Sequence, residues 1–302
     1  MSSVIAARGL GKRYRRTWAL SDCSLDIPAG RVTALVGPNG AGKTTLLHLA
    51  VGLSTPTTGT IEVLEGRRPS DRLPPVARIG FVAQDAPLYA GLSVADHLEL
   101  GARLNPRWDH QLAHERIERV GLDPRQRAGR LSGGQRAQLA LTLAIAKRPD
   151  LLLLDEPVAS LDPLARRELL EGLMEFVADA GVSVVLSSHL ISDLERVCDH
   201  VVLLIGSTVR LAGDVDHLLD THHRLTGPRR DPATLPGGQQ VIEASHTERQ
   251  STLVVRSEGP IHDPAWTVEP VSLEDLVLAY MRQAADARRS RPSRRRLSSV
   301  SR

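Results

Sequence analysis

The 302-residue chain is longer than one hydrophobic core usually organises, and its 41% apolar and 24% charged residues are those of a folded body with room for an appendage. Aromatic residues at 3% argue against a stacking platform for single-stranded nucleic acid. The net charge of +3 is carried by the seven arginines between Arg288 and Arg302, without which the remainder stands at −4. Two cysteines, Cys23 and Cys198, without metal-ligand spacing point to a reducing compartment. With no apolar run of membrane-spanning length and no leader-like start, any membrane role is expected to come through a partner.

In chain order, Val4–Ala7 and Ala19–Ile27 read as short strands with turns at Gly9, Gly11 and Pro28-Ala29-Gly30, an antiparallel edge containing Tyr14. Val32–Val36 is an apolar strand that runs into Gly37-Pro38-Asn39-Gly40-Ala41-Gly42-Lys43-Thr44-Thr45, and Leu46–Val51 then has helical character. Strand, tight loop and helix in that order, with the spacing G-x-x-x-x-G-K-[ST], make a nucleotide phosphate loop. The glycines let backbone N–H groups turn inward, the helix start adds its positive dipole end, Lys43 reaches the terminal phosphates, and Thr44 offers a hydroxyl to magnesium. A plain glycine turn closing a strand-helix unit would not require the lysine and threonine.

Thr60–Leu64 is a further strand, a proline-rich linker follows from Pro69 to Pro75, and Ile79–Ala83 is a brief strand ending at Gln84. Ser93 with Asp96 forms a capping box that opens a helical region through Leu98–Arg103 and His110–Val120, stopped by Gly121. Leu131-Ser132-Gly133-Gly134-Gln135 starts the last helix of this insertion, which ends before Pro149. Leu151–Leu154 is a buried-strand pattern terminating in Asp155-Glu156-Pro157, Leu164–Ala180 is helical, and Val182–Leu186 is a second buried strand with Ser187-Ser188-His189 at its end. Leu190–Val197 reads as a helix, and Val201–Ile205 with Thr208–Leu211 as a hairpin around Gly206. From about Asp220 the chain is a weakly specified appendage with short strand candidates such as Leu253–Val255, closed by a helix over Ser272–Met281 with Ser272 and Asp275 as its cap. Beyond Ala287 the arginines and serines predict a solvated, disordered tail, either inert or a surface anchor to anionic lipid.

Taken together, the phosphate loop, Gln84, Leu131–Gln135, Leu151–Glu156, Leu161-Asp162 and His189 resemble, in one order over about Val4–Leu219, the nucleotide-binding subunits of ATP-binding cassette (ABC) transporters. Leu-Ser-Gly-Gly-Gln upstream of a buried strand ending Asp-Glu is the most diagnostic part. Leu141-Thr142-Leu143 departs from the pattern, since a basic residue is common in the helix after the signature.

The resemblance implies an α/β fold: a P-loop NTPase core with a mixed, mainly parallel sheet, an antiparallel β edge, an inserted helical subdomain at about 93–148 and a small C-terminal appendage. An ATPase domain is expected over 1–219, an accessory region over 220–287 and the tail over 288–302. ATP and Mg2+ are the implied cofactors. Lys43, Gln84, Glu156 and His189 would serve catalysis, with Glu156 acting on the attacking water and His189 touching the terminal phosphate. Thr44, Gln84 and Asp155 would serve the metal. Gly37 to Thr45 would bind the nucleotide together with Ser132, Gly133, Gly134 and Gln135, the latter four closing over the loop of a second subunit in a head-to-tail dimer with Asp162 at the junction. Tyr14 resembles the residue that stacks on adenine, with Trp18 its local rival and simple packing the alternative.

The implied partners are separate membrane-spanning subunits and a second nucleotide-binding subunit, identical or homologous, at the cytoplasmic face of the membrane, with no nucleic acid. Ser272-Leu273-Glu274-Asp275-Leu276 resembles the closing helix of bacterial drug- and antibiotic-exporter subunits, and a larger β-rich regulatory domain of the sugar-importer kind is not expected. A soluble cassette ATPase acting on ribosomes or DNA is the alternative; it would usually carry two cassettes or a long coiled coil. A metabolic P-loop kinase gives no reason for the signature.

Overall fold

The computed structural model describes residues 2–64, 74–159, 161–192, 194–229 and 239–289. It divides into two compact units, Met1–Val215 and Asp216–Arg302. Most of the linker expected at Pro69–Pro75, and the arginine-rich tail beyond Arg289, lie outside the described residues.

In the first unit, strands β1 (Ser3–Tyr14) and β2 (Thr17–Pro28) pair antiparallel and are longer than their apolar runs suggest. Leu20, Cys23, Leu25 and Ile27 are buried while Asp22, Ser24 and Asp26 face solvent, the alternation of a half-buried strand. After β3 (Val32–Val36) and helix α1 (Lys43–Ala50), β4 (Thr58–Val63) joins the other side of β1, giving a three-stranded sheet in the order β2-β1-β4.

The second sheet of this unit combines β3 with β5 (Ile79–Val82), β6 (Leu151–Asp155), β7 (Ser183–Ser188), β8 (His200–Ile205) and β9 (Thr208–Asp214) in the order β5-β6-β7-β3-β8-β9. Its first five strands run parallel, and β3, β6, β7 and β8 are buried along their whole length because both faces are covered. β9 returns antiparallel beside β8 through Gly206, so the antiparallel edge of this sheet is β9, while β1 and β2 close a sheet of their own. Leu35, Leu153, Val185, Val202 and Leu204 pack with Ile5, Leu10, Leu20 and Ile27 and with Leu46, Leu47 and Leu49 of α1. Each such side chain, fully buried, contributes about 1.5–3 kcal/mol.

The inserted helices are α2 (Val94–Leu104), α3 (His110–Arg119) and α4 (Gly133–Ala146), with a separate core that includes Val94, Leu98, Ala113, Ile117, Leu131 and Leu139. Both expected start signals form: Ser93 and Asp96 make a reciprocal capping box on α2, and Ser132 and Gln135 make one on α4. Helix α5 (Pro163–Ala180) is capped by Asp162, whose Oδ1 accepts from the N–H groups of Leu164 and Ala165 at 3.0 Å, and it stops at left-handed Gly181. Among the described residues the helix expected over Leu190–Val197 does not form; that stretch makes turns with mixed bonds, Glu195 N–H to Ile191 O and Val197 N–H to Leu194 O. Among its described residues only Ile191 and Leu194 are buried, too little apolar surface to hold so short a helix.

Helix α6 (Val215–Thr221) leads to β10 (His222–Pro228), β11 (Gln239–His246), β12 (Gln250–Ser257) and β13 (Thr267–Pro270), followed by helix α7 (Leu273–Arg289). The strands form an antiparallel sheet in the order β11-β12-β10-β13 around Leu225, Leu253, Val255 and Trp266. The appendage is therefore a β-sheet unit rather than a weakly specified segment, a correction of the sequence reading. Ser272 Oγ accepts from Asp275 N–H at 3.1 Å and caps α7, whose backbone runs two residues past Ala287, into the segment expected to be disordered. His222 is fully buried: its Nδ1–H donates to Leu218 O at 2.7 Å, which makes Nε2 the acceptor for the Tyr280 hydroxyl at 3.1 Å.

Candidate functional site

The loop from Gly37 to Thr45 leaves the end of β3 and enters α1. Gly37 sits at φ 152°, where a Cβ would lie 2.2 Å from the Leu204 carbonyl oxygen, and Gly42 at φ 110°, where a Cβ would lie 2.4 Å from the Ala19 carbonyl oxygen. Side chains are thus excluded where the main chain wraps closest to β8 and β2. Ala41 N–H closes a turn on Pro38 O at 3.1 Å, and Pro38, Asn39 and Gly40 form an exposed rim. No side chain caps α1 at Gly42, so the first-turn N–H groups of Lys43, Thr44 and Thr45 remain for an anion. A loop held against β8 and β2 too closely for side chains at Gly37 and Gly42, beside an uncapped helix start, fits a phosphate chain.

Strand β6 runs parallel to β7, with Asp155 beside Ser187, and delivers its two acids to the same edge. Lys43 Nζ donates to Gly37 O at 2.8 Å and to Glu156 Oε1 at 3.1 Å, with both charged side chains buried at 6% and 7% exposure. His189 lies 2.7 Å from Glu156 Oε2 through Nδ1; a carboxylate only accepts, so Nδ1 carries the proton and Nε2 is the other ring position. Glu156 holds φ 50°, a left-handed conformation that costs about 1–3 kcal/mol in a non-glycine residue and persists where contacts over-determine it. The structure therefore brings Lys43, Asp155, Glu156 and His189 together at the carboxyl ends of parallel strands, where such sheets bind ligands.

Ser187 carries no functional signal of its own in the sequence, where it reads as one more small residue at a strand end. Its Oγ–H donates to Asp155 Oδ1 at 2.7 Å and its oxygen accepts from Glu156 N–H at 2.9 Å. A serine directly after the apolar run Val184–Leu186 of a buried strand is the available signal, because a buried hydroxyl needs partners.

The other expected residues lie elsewhere. Gln84 is exposed in a turn after β5 and lines a cavity of about 330 Å3 with Gly133, Leu154 and Pro157. Among the described residues no hydrogen bond or ion pair joins it to Lys43, Asp155 or Glu156. Ser132, Gly133, Gly134 and Gln135 line a cavity of about 600 Å3 with Leu161 and Asp162, and among the described residues none of them bonds to the phosphate loop. Ser132 Oγ accepts from Gln135 N–H and Gln135 Oε1 accepts from Ser132 N–H, so the Gln135 carbonyl is engaged in the cap while the Ser132 hydroxyl proton remains to donate. Tyr14 is half exposed at the tip of the β1–β2 hairpin with Lys12 Nζ 5.2 Å from its ring centre, and Trp18 shares the tip under Arg13. The two cysteines take no part: burial raises the Cys23 thiol and pushes Cys198 up to about 12, keeping both protonated.

Residues 20–159 match the family model described as ABC transporter. The chain is 34% identical over 220 residues to the uncharacterized ABC transporter ATP-binding protein YxlF of Bacillus subtilis, covering 71% of this chain and 72% of that one. It is 36% identical over 244 residues to the aliphatic sulfonates import ATP-binding protein SsuB of Shigella flexneri, covering 80% and 91%. Among solved structures, the dimeric bacterial ABC transporter cassette MJ0796 superposes with a TM-score of 0.61 at 25% identity, covering 70% of this chain and 98% of that one.

Proposed function

Because the chain belongs to the ATP-binding proteins of ABC transporters, enzymes that hydrolyse ATP, we propose that it works as one half of a nucleotide-driven dimer that powers separate membrane-spanning subunits. The observation that carries this reading is the convergence of Lys43, Asp155, Glu156 and His189 beside the phosphate loop. The loop amides and Lys43 bind and orient the terminal phosphates, and Glu156 accepts the proton of the attacking water. His189 holds Glu156 Oε2 through Nδ1, leaving Nε2 as the ring position for the phosphate side. Thr44 and Asp155 would hold Mg2+, with Gln84 joining from its turn, and the bound ion would neutralise phosphate charge. Tyr14 supplies a ring for adenine at the hairpin that packs on Gly42.

The Ser132–Gly134 helix start presents a hydroxyl and bare amides in a cavity apart from the chain's own phosphate loop. It closes over the loop of a second copy, with Asp162 at the junction. A cavity of about 590 Å3 lined by residues including Phe81, Pro87, Leu88, Leu100 and Leu104, with Leu53, Val76, Tyr89 and Leu104 exposed around it, suits an amphipathic helix of the membrane subunit. No helix among the described residues is long and apolar enough to cross a membrane. The subunit acts at the cytoplasmic face. We assign export as the direction, on the Ser272–Leu276 start of α7; the sulfonate relative is named for import, and its similarity includes the cassette core that both directions share.

The test is Glu156→Gln with Mg2+ and ATP. Hydrolysis falls by about 10²–10⁴-fold while ATP still binds, and the variant elutes as a dimer on size exclusion. A variant that saturates with ATP yet stays monomeric at high protein concentration contradicts the dimer, and undiminished hydrolysis removes Glu156 from the mechanism.

A further inference from the structure

We propose that Ser187 is a positioning residue for hydrolysis, acting on both acids of the site through one hydroxyl. The inference rests on the ATPase reading above.

Ser187 is completely buried on β7, directly beside Asp155 of β6. A hydroxyl has one proton and two lone pairs, and both neighbours fix how this one is used. Asp155 Oδ1 can only accept, so it takes the proton at 2.7 Å; Glu156 N–H can only donate, so it points at the oxygen lone pair at 2.9 Å. The first bond sets the rotation of the Asp155 carboxylate and leaves Oδ2 as the oxygen that Ser187 does not engage. The second anchors the backbone at the residue that turns left-handed, at φ 50°.

That turn carries the Glu156 carboxylate to Lys43 at 3.1 Å and His189 at 2.7 Å. With Ser187 truncated, the Glu156 N–H is buried without its acceptor, and one of the contacts holding the strained conformation is gone. Glu156 then samples positions off the line of water attack, and the Asp155 carboxylate rotates. The remaining contacts of the phosphate loop are untouched, so the loss falls on turnover and on metal affinity rather than on nucleotide binding.

The experiment compares wild type, Ser187→Ala, Ser187→Thr and Glu156→Gln in full-length protein. Steady-state hydrolysis gives kcat and KM, and Mn2+ binding in the presence of ADP, followed by electron paramagnetic resonance, gives a metal readout without turnover. Ser187→Ala is expected to lose about 10–100-fold in kcat, the worth of a hydrogen bond to a charged group, with KM for ATP within about threefold. Its Mn2+ dissociation constant rises about three- to tenfold. Ser187→Thr, which keeps the hydroxyl, returns kcat to within about threefold of wild type.

A folded Ser187→Ala with wild-type kcat and Mn2+ affinity overturns the proposal while Glu156→Gln remains inactive, which leaves the ATPase reading standing. Equal losses in the alanine and threonine variants assign the effect to packing and also overturn it. Undiminished hydrolysis by Glu156→Gln removes Glu156 from the mechanism and the proposal with it, whereas absence of hydrolysis by the wild type removes the ATPase reading itself.

Discussion

Gly42 and Gly40 lie two residues apart in the phosphate loop, both left-handed, yet they answer differently to the addition of one methyl group. At Gly42 an alanine Cβ would sit 2.4 Å from the Ala19 carbonyl oxygen and 2.6 Å from Leu20 Cδ2, at φ 110°. The carbonyl belongs to β2 of a packed sheet and cannot swing aside, so the loop itself must move. The left-handed backbone costs about 1–3 kcal/mol in a non-glycine residue and the overlap about 1–3 kcal/mol more, giving about 2–6 kcal/mol. At Gly40, φ 76°, no atom lies within 4 Å of the added Cβ. Only the backbone term applies there, about 1–2 kcal/mol for the αL region.

For a unit of this size 1 kcal/mol shifts Tm by about 2–4 °C, so Gly42→Ala is expected to melt about 5–20 °C lower and Gly40→Ala about 2–8 °C lower. Because the displaced segment carries the α1 amides, Gly42→Ala also weakens ATP binding by at least about 100-fold, the effect of misplacing several charge-assisted donors. Differential scanning fluorimetry and isothermal titration with ATP measure both quantities. A Gly42→Ala protein that melts and binds like wild type would refute the argument that the close approach to β2 shapes the phosphate site.

Lys43→Ala removes the cation from a buried pair with Glu156 and the donor to the terminal phosphate, so hydrolysis is abolished and stability falls by about 3–5 kcal/mol; urea unfolding alongside phosphate release separates the two. Leu173→Ala, at a fully buried position of α5 away from the phosphate loop, lowers stability by about 2–5 kcal/mol with KM for ATP unchanged, and a shifted KM in a folded variant contradicts the separation of core from site. Burial holds the His222 imidazole below its ordinary pKa of 6.5. The unfolded chain therefore takes up the proton first: stability of the C-terminal unit is full above about pH 6.5, declines as pH falls toward the lowered folded value, and then flattens. Urea titrations between about pH 7.5 and 5, spanning an ordinary histidine, followed by Trp266 fluorescence with Trp18 and Trp108 replaced by Phe, check this, and a midpoint that rises on acidification contradicts it. Leu104→Asp, on the exposed rim of the apolar cavity, leaves soluble ATPase activity intact and breaks co-purification with the membrane subunit; unchanged co-purification moves the docking surface elsewhere.

How much of this was legible in the sequence depended on whether the signal was local. Leu151–Leu154 ending in Asp155-Glu156 reads directly as a buried parallel strand, and Ser93/Asp96 reads as a helix start because a capping box is contained within four residues; Leu131–Gln135 also reads as a helix start, though its Ser132/Gln135 box is seen only in the structure. The appendage reads as weakly specified because its core is dispersed: β10 contributes Leu225, β12 Leu253 and Val255, and the turn before β13 Trp266, so only β12 shows an apolar run before pairing gathers the rest. Leu190–Val197 has helical spacing but buries too little apolar surface to hold a helix. Ser187 was silent because its meaning is the residue on the adjacent strand, and register between β6 and β7 is not written in either one. Signature and phosphate loop are both readable, and so is their separation within one chain, because the sequence between them places the signature in the helical insertion.

The central claim is that each hydrolytic site takes its phosphate loop from one copy and its signature from another. Lys43→Ala disables the loop and leaves the signature; Ser132→Arg blocks the signature cavity and leaves the loop. Each variant alone is expected to be inactive. Mixed in equal amounts with Mg2+ and ATP, half the dimers are hybrids with one intact composite site, and phosphate release should recover to about a quarter of wild type, the statistical share for random pairing of two copies. No recovery on mixing, with both variants folded, would contradict the account.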